Sequence, residues 1–416
     1  MSGIWQQIES GAWLTAERAR AYSLILLAAM VVISAVWLLG SNGLIDRNGK
    51  PIGTDFSSFY AAGSLALEGR AIDAYDMAIH YAREQQLFGE RTPYYSWFYP
   101  PIFLLIAAPL SALPYGLALA LWQAASGLFY CATIALILRR AHLPDAIGKT
   151  GLLASIAFPA VLLNLGHGQN GFLTAGLFAS ALLALPERAI IAGILFASLA
   201  CKPQFALVIP FALLAARQWK TFATAAAAVI GLIGITSAIF GIEIWLAFIA
   251  TSEMSRELLL EQGQVGFAKL QSTFAVARLW GAGLTLAYVL QSMITIAVIA
   301  GAAWAWRFVA DRNLKAAILL IAALLASPHV LDYDLMMLGP AIAFMVAAGT
   351  ATGFRRYEIT LLAIAWIIPL LARSVTEASS IPLGWATLIA LYIIALKRVI
   401  ATRRDMNLAH MPVAST

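Results

Sequence analysis

Charged residues are scarce in this chain. They fill 12% of its 416 positions, about half of what soluble globular chains carry. With 61% of residues apolar, a water-soluble fold of this length could not hide its apolar surface, and a soluble enzyme or carrier is excluded. Cysteine is nearly absent as well. Cys131 and Cys201 both sit in apolar segments, which gives neither a disulfide framework nor a metal-ligand spacing. A Gly-rich phosphate loop, a nucleophile elbow and a zinc spacing are all missing, so the usual signatures of soluble enzymes are not there to be read. The net charge of +6 would indicate an anionic partner in a soluble protein. Here it fits loops facing acidic lipid, and it implies no nucleic-acid partner.

What is present is a succession of apolar runs near the roughly 20 residues needed to cross the hydrocarbon of a bilayer. The pattern predicts spans at about 22–40, 116–138, 150–164, 169–185, 189–201, 203–215, 221–240, 284–306, 315–328, 334–350, 357–372 and 381–398. Several are short, so neighbouring pairs are expected to be tilted, broken or partly buried. Glu17, Arg18 and Arg20 precede the first run, and Gly40-Ser41-Asn42-Gly43 leads from it into a polar loop without a small-residue cleavage site. It reads as a retained helix rather than a cleaved signal. The whole chain reads as one polytopic membrane domain, 1–416.

Placing the N-terminus inside puts most of the 27 basic residues, from Arg18 and Arg20 to Arg403 and Arg404, on the cytoplasmic side, and most of the 21 acidic residues outside. That bias predicts a bacterial cytoplasmic membrane protein with both termini cytoplasmic and its long loops facing the periplasm or exterior. Two outer loops stand out, 41–100 and 241–271. In the first, Phe56, Phe59, Tyr60 and Gly63 share a helical face, and a polar amphipathic stretch runs from Asp73 to Phe88. Both are expected to lie on the outer membrane surface. After each loop comes an apolar piece too short to cross, Ile102 to Leu113 and Thr273 to Trp280, which suits re-entrant or interfacial elements.

Four places carry groups capable of chemistry. Asp55, in Gly53-Thr54-Asp55-Phe56, puts a carboxylate at the outer surface where a lipid-held substrate can be reached; equally, it can cap the helix that follows. Tyr94-Tyr95-Ser96-Trp97-Phe98-Tyr99-Pro100-Pro101 offers rings to stack on a sugar or prenyl chain, or forms only the aromatic belt of the interface. His167, Gln169 and Asn170 in Gly166-His167-Gly168-Gln169-Asn170-Gly171, with Gln204 in Lys202-Pro203-Gln204, can bind sugar hydroxyls, while Lys202 can meet a phosphate. Their plain alternative is turn formation, with Lys202 snorkelling to the interface. Fourth, Pro328 interrupts an apolar run ahead of His329, Asp332, Tyr333 and Asp334. Ionisable groups at membrane depth are costly and tend to be functional, although Asp334 can also cap the next helix.

Taken in order, Asp55-Phe56, Tyr60-Ala61-Ala62, Leu67-Glu68-Gly69 to Ala74-Tyr75-Asp76, Tyr99-Pro100-Pro101, Gly168-Gln169-Asn170-Gly171, Lys202-Pro203-Gln204, Ser327-Pro328-His329 and Tyr333-Asp334 make a recognisable set over residues 53–334. In this set the chain resembles glycosyltransferase family 87, the polyprenol-phosphate-mannose-dependent mannosyltransferases of the GT-C class. The resemblance implies an all-α integral membrane protein of GT-C type, with about 12 transmembrane helices and outward-facing amphipathic helices in the first long loop. It implies that the Asp after the first span, Asp55, is the catalytic base. Tyr60, Tyr99, His167, Gln169, Asn170, Gln204 and Asp334 are then expected at the substrate, and Lys202 and His329 at the donor phosphate.

The chemistry agrees with that assignment. A sugar on a lipid phosphate already has a leaving group that departs without protonation, so one carboxylate suffices where a glycoside hydrolase needs two. The partners implied are a polyprenyl-phosphate sugar donor, a lipid-linked or glycan acceptor and membrane lipids, with no cofactor, nucleotide or metal required. A transporter or lipid flippase also has a dozen spans and polar midplane residues, but a carrier has little use for a 60-residue outer loop and shows Gly/Pro-interrupted segments paired between two halves. A glycan polymerase or ligase is the third reading, and it would place more arginines on the outer side.

Overall fold

Runs of Ala, Leu, Ile and Val, good helix formers once buried in an apolar solvent, form helices along the whole chain in the computed structural model. It describes residues 2–409, with side chains from Gly3 to Thr402. Arg403 and Arg404, counted above among the inward basic residues, therefore have side chains outside the described part. No β-strand longer than an isolated bridge occurs among the described residues. The protein is an all-α polytopic membrane protein.

Among the described residues, eight helices are long and apolar enough to cross a bilayer: Ala16–Leu39, Tyr115–Arg140, Asp145–His167, Trp219–Phe240, Leu284–Phe308, Asp332–Thr352, Glu358–Ser379 and Leu383–Thr402. The other expected spans are shorter helices, Gly171–Ala184, Ala189–Cys201, Pro203–Ala215 and Arg312–Ala326. At about 1.5 Å per residue a helix of that length falls well short of the ~30 Å hydrocarbon. These are the short members that the sequence led one to expect among about twelve apolar helices. A short helix is tolerated at membrane depth when protein rather than lipid surrounds its ends. Arg312–Ala326 shows this: from Leu314 to Ala326 nearly every side chain is buried, against Leu284–Phe308, Leu338–Thr352 and the last helix.

Two prolines set the breaks that matter for the site. Phe158, ahead of Pro159, leaves the helical region and splits one apolar run into Asp145–Ile156 and Pro159–His167, as expected of a residue preceding proline. Pro328 has no N–H to continue Arg312–Ala326, so the last carbonyls of that helix need other partners. Gln291 Nε2 donates to Leu325 O at 3.1 Å and Thr295 Oγ1 to Ala326 O at 2.8 Å. The helix end is thereby satisfied, and Ser327–Asp334 leaves it as an irregular segment among buried residues.

The loops gather at two ends. At one, Tyr357 N donates to Glu9 O (2.7 Å) and Arg140 Nη1 to Leu183 O (2.6 Å). At the other, the first long loop folds into Thr54–Leu67, a short turn of helix at Ala71–Tyr75 and Met77–Phe88. Asp76 Oδ1 caps the last of these by accepting from Ala78 N and Ile79 N, which divides the amphipathic stretch expected from Asp73 onward. Thr54–Leu67 does not lie on a membrane surface, because Phe56, Phe59, Ala61, Ala62 and Leu65 are all buried in protein. The second loop forms Glu243–Ser255, one π-helical stretch at Arg256–Glu261 and a turn at Phe267–Lys269. It then joins the irregular segment through Gln271 N to Val330 O at 2.7 Å and a bridge between Leu270 and Leu331.

Candidate active site

Two cavities that share no lining residue stand out among the described residues. One, of about 650 Å³, lies among Trp13, Leu26, Phe158, Ile342, Trp366 and similar side chains, with no Asp, Glu, His, Lys or Arg in its lining. The other, of about 670 Å³, is bounded by Asp55, Tyr99, His167, Gln169, Lys202, Gln204, His329, Tyr333 and Asp334, together with Lys50, Lys269 and Arg373. Its size suits a small-molecule site, and its convergent polar groups give it chemistry.

Two glycines put Asp55 there. Gly53 takes φ +72° and stands at the start of Thr54–Leu67 without a side-chain cap, a conformation that costs glycine little. Tyr115 Oη holds the turn from behind by donating to Ile52 O at 2.6 Å. Asp55 therefore does not cap its helix; its carboxylate faces the cavity. Opposite, Gly168 takes φ +63°, and a Cβ built on it would come within 2.6 Å of Phe56 Cβ and 3.4 Å of Gly53 Cα. Trp122 Nε1 fixes this second turn by donating to Gly168 O at 2.9 Å.

The close approach brings Gln169 to the carboxylate. Gln169 Nε2 donates to Asp55 Oδ2 at 2.7 Å, while its Oε1 accepts from Tyr99 Oη at 3.1 Å and from Asn170 N at 3.0 Å. The amide is thus oriented from both ends. His167 Nδ1 lies 2.8 Å from Thr54 Oγ1 and 3.8 Å from Asp55 Oδ1, leaving that second oxygen without a close donor.

Across the cavity, Lys202 Nζ is ion-paired with Asp334 Oδ1, and the side chains are only 6% and 1% exposed. Asp334 Oδ2 accepts from Leu331 N at 2.9 Å. Lys202 does not snorkel, then, and Asp334 serves both a local turn and a buried charge pair. Burial pushes the His329 imidazole down to about 4, so it is neutral at physiological pH and offers one N–H. Tyr333 lies between two ammonium groups, Lys202 Nζ 5.1 Å and Lys269 Nζ 5.6 Å from its ring centre.

Two expected substrate contacts sit elsewhere. Tyr60 donates its hydroxyl to Leu113 O at 2.8 Å and packs on Tyr115, away from the cavity lining. Asn170 is fully buried beneath the turn. The aromatic segment is not an interfacial belt either: Trp97 is buried against Phe103 and Phe59, and Tyr94, Tyr95, Phe98 and Tyr99 line the cavity. Lys269 and Arg373 were not anticipated from the sequence. Neither belongs to a motif, and Arg373 follows directly on a predicted span.

Behind the aromatic wall lies a buried His80–Glu84 pair, with Nε2 3.8 Å from Oε1. Glu84 Oε2 accepts from Tyr95 N at 3.0 Å, tying Met77–Phe88 to the wall. Burial, helped by the charge of Asp55, pushes the Glu84 carboxyl up to about 8 from its ordinary 4.5; burial pushes His80 down to about 4 from 6.5. Between pH 4.5 and 8 the folded protein holds a proton on Glu84 that the unfolded chain has lost, so stability falls as pH rises through that window. His80 acts on the other side, with stability falling as pH drops from 6.5 towards 4. Glu84→Gln should abolish the alkaline loss and keep the acid one. Thermal unfolding in detergent between pH 4.5 and 8.5 measures this, and an unchanged alkaline slope in the variant would contradict it.

Gly168→Ala should destabilise by about 1–3 kcal/mol, through a strained positive φ and overlap with Phe56, and should lower activity with it. Gly166, with nothing within 4 Å of its added Cβ, is the control. Equal effects of Gly166→Ala and Gly168→Ala on thermal unfolding would refute the packing argument.

The model of glycosyltransferase family 87 matches residues 97–328, more than half of the chain, including the aromatic wall from Trp97 onward, the Gly168 turn and Lys202 but none of Asp55, Tyr94, Tyr95 and His329. Searches of curated proteins and of solved structures found no match.

Proposed function

The chain belongs to glycosyltransferase family 87, a membrane glycosyltransferase, and we propose that it moves a sugar, mannose by the resemblance, from a polyprenyl-phosphate donor to a hydroxyl of a lipid-linked or glycan acceptor. The observation that carries this reading is the Asp55 carboxylate. It is pinned on one oxygen by Gln169, open on the other, and faces a cavity whose second carboxylate, Asp334, is already held by Lys202.

One free carboxylate suits inverting transfer. The acceptor oxygen attacks the anomeric carbon as its proton passes to Asp55. The bond from that carbon to the phosphate oxygen breaks with its electron pair staying on the phosphate, and polyprenyl phosphate leaves opposite the incoming hydroxyl. Gln169, oriented by Tyr99, keeps the base in place, a positioning contribution that needs no charge of its own. His329, being neutral, offers a hydrogen bond to a phosphate oxygen; Lys202 reaches it only in so far as Asp334 shares the ammonium. Phe98, Phe248, Leu259 and Val265 on the same walls suit the first units of a prenyl chain. His167 and Gln204 are placed for sugar hydroxyls.

Asp55→Asn tests the base. Asn keeps an acceptor for Gln169 Nε2 and removes no helix cap, so folding should be retained while turnover of a labelled polyprenyl-phosphate sugar falls by roughly 10²–10⁴-fold. Wild-type turnover in this variant would end the assignment.

The reaction is assigned to the outer face of the bacterial cytoplasmic membrane because the basic residues concentrate at the opposite end. Single cysteines replacing the exposed Glu90 and Glu257, in a background without Cys131 and Cys201, should react with an impermeant thiol reagent in intact spheroplasts. A cysteine replacing the exposed Asp145 should react only after lysis. The reverse pattern would put the site in the cytoplasm.

A further inference from the structure

We propose that Lys269 and Arg373, rather than Lys202, supply the positive charge that holds the donor phosphate. This rests on the polyprenyl-phosphate reading above and names residues for it that no motif indicates.

A phosphate that gains charge as the sugar departs is stabilised by cations placed beforehand. Lys202 is poorly available for that. Its ammonium is committed to Asp334 in a buried pair, and drawing it away would leave a buried carboxylate uncompensated. His329 is neutral. The remaining cations on the cavity wall are Lys50, Lys269 and Arg373; Lys269 is half-buried, and Lys50 and Arg373 are both exposed, Lys50 on the turn after the first span.

Lys269 and Arg373 differ from Lys50 in being brought together by the fold. The Phe267–Lys269 turn packs against Glu358–Ser379, the helix that carries Arg373. The Tyr333 ring that lies under the Lys269 ammonium packs on His167 with ring centres 5.8 Å apart, and His167 is in turn the neighbour of Asp55. Among the described residues Lys269 has no carboxylate in ion-pair range; its ammonium lies over the Tyr333 ring. Arg373 spends only Nε, on Glu377 Oε1 at 2.8 Å. That partner is one helical turn away and half exposed, so the pair is screened and weak. The two terminal nitrogens of the guanidinium have no protein partner among the described residues, which leaves a fork suited to phosphate oxygens. Neither cation needs to give up a proton: the electron pair released from the anomeric carbon stays on the phosphate, and the acceptor proton goes to Asp55.

The test compares binding of polyprenyl phosphate and uncharged polyprenol to the full-length protein in detergent, alongside turnover of a polyprenyl-phosphate sugar. Wild type should prefer the phosphate. Lys269→Ala and Arg373→Ala should each cut that preference roughly tenfold or more, the scale of a charge-assisted contact, while binding polyprenol as wild type does. Lys269→Arg should keep most of it. If Arg373→Ala fails to fold, Arg373→Gln takes its place. Retained preference in folded Lys269 and Arg373 variants, with loss in Lys202→Ala, would overturn the inference and leave the donor class standing. A wild type that neither prefers the phosphate nor turns over any polyprenyl-phosphate sugar would overturn the donor reading, and this inference with it.

Discussion

The contact on which the site depends is the meeting of two turns, Gly53 at the head of one helix and Gly168 at the tail of another. A side chain at Gly168 would run into Phe56 and the Gly53 backbone, and one at Gly53 into the Leu119 side chain that packs against both turns. Their approach places Gln169 against Asp55, and the Tyr99 hydroxyl completes the alignment from the aromatic wall. A carboxylate held this way has little freedom left to lose, which suits the role of base proposed for it. The turns are held in their own right by Tyr115 and Trp122, both on Tyr115–Arg140, so a single long helix anchors both sides of the contact.

Membrane burial explains why the other wall is arranged as it is. Charges taken out of water must find partners, and hydrogen-bonding groups of the backbone must be satisfied within the protein. Lys202 and Asp334 meet the first demand by pairing; Gln291 and Thr295 meet the second at the break before Pro328. The result is an irregular, polar segment at Ser327–Asp334 inside an otherwise apolar bundle. Histidines at its edge and behind the aromatic wall avoid charge altogether.

Much of this was legible in the sequence, for identifiable reasons. Hydropathy located each apolar helix because nothing else in the chain competes with it, but it could not tell a span from a short enclosed helix, since both are apolar. The site motifs marked Asp55, Tyr99, His167, Gln169, Lys202, Gln204, His329 and Asp334, all of which line one cavity although nearly 280 residues separate the first from the last. Tyr60 shows where such reasoning runs out. Five residues beyond Asp55, it is turned about 140° around the helix, so motif membership did not give it the same outlook. Asn170 follows Gln169 directly and points under the turn instead. The charges on Lys269 and Arg373 lie outside every motif, and only the packing of the second outer loop on the Glu358–Ser379 helix brings them to the wall. The cap reading of Asp55 could not be dismissed from the sequence either, because Gly53 at the capping position is visible only in the backbone.

The second outer loop is not merely draped beside the cavity. Its end is stitched to the Ser327–Asp334 segment by the Gln271–Val330 bond and the Leu270–Leu331 bridge, while its start continues from the Trp219–Phe240 span. Lys269 and His329 therefore ride on one hydrogen-bonded unit. A displacement of the loop, whatever its cause, is passed on to the floor of the cavity rather than absorbed as slack.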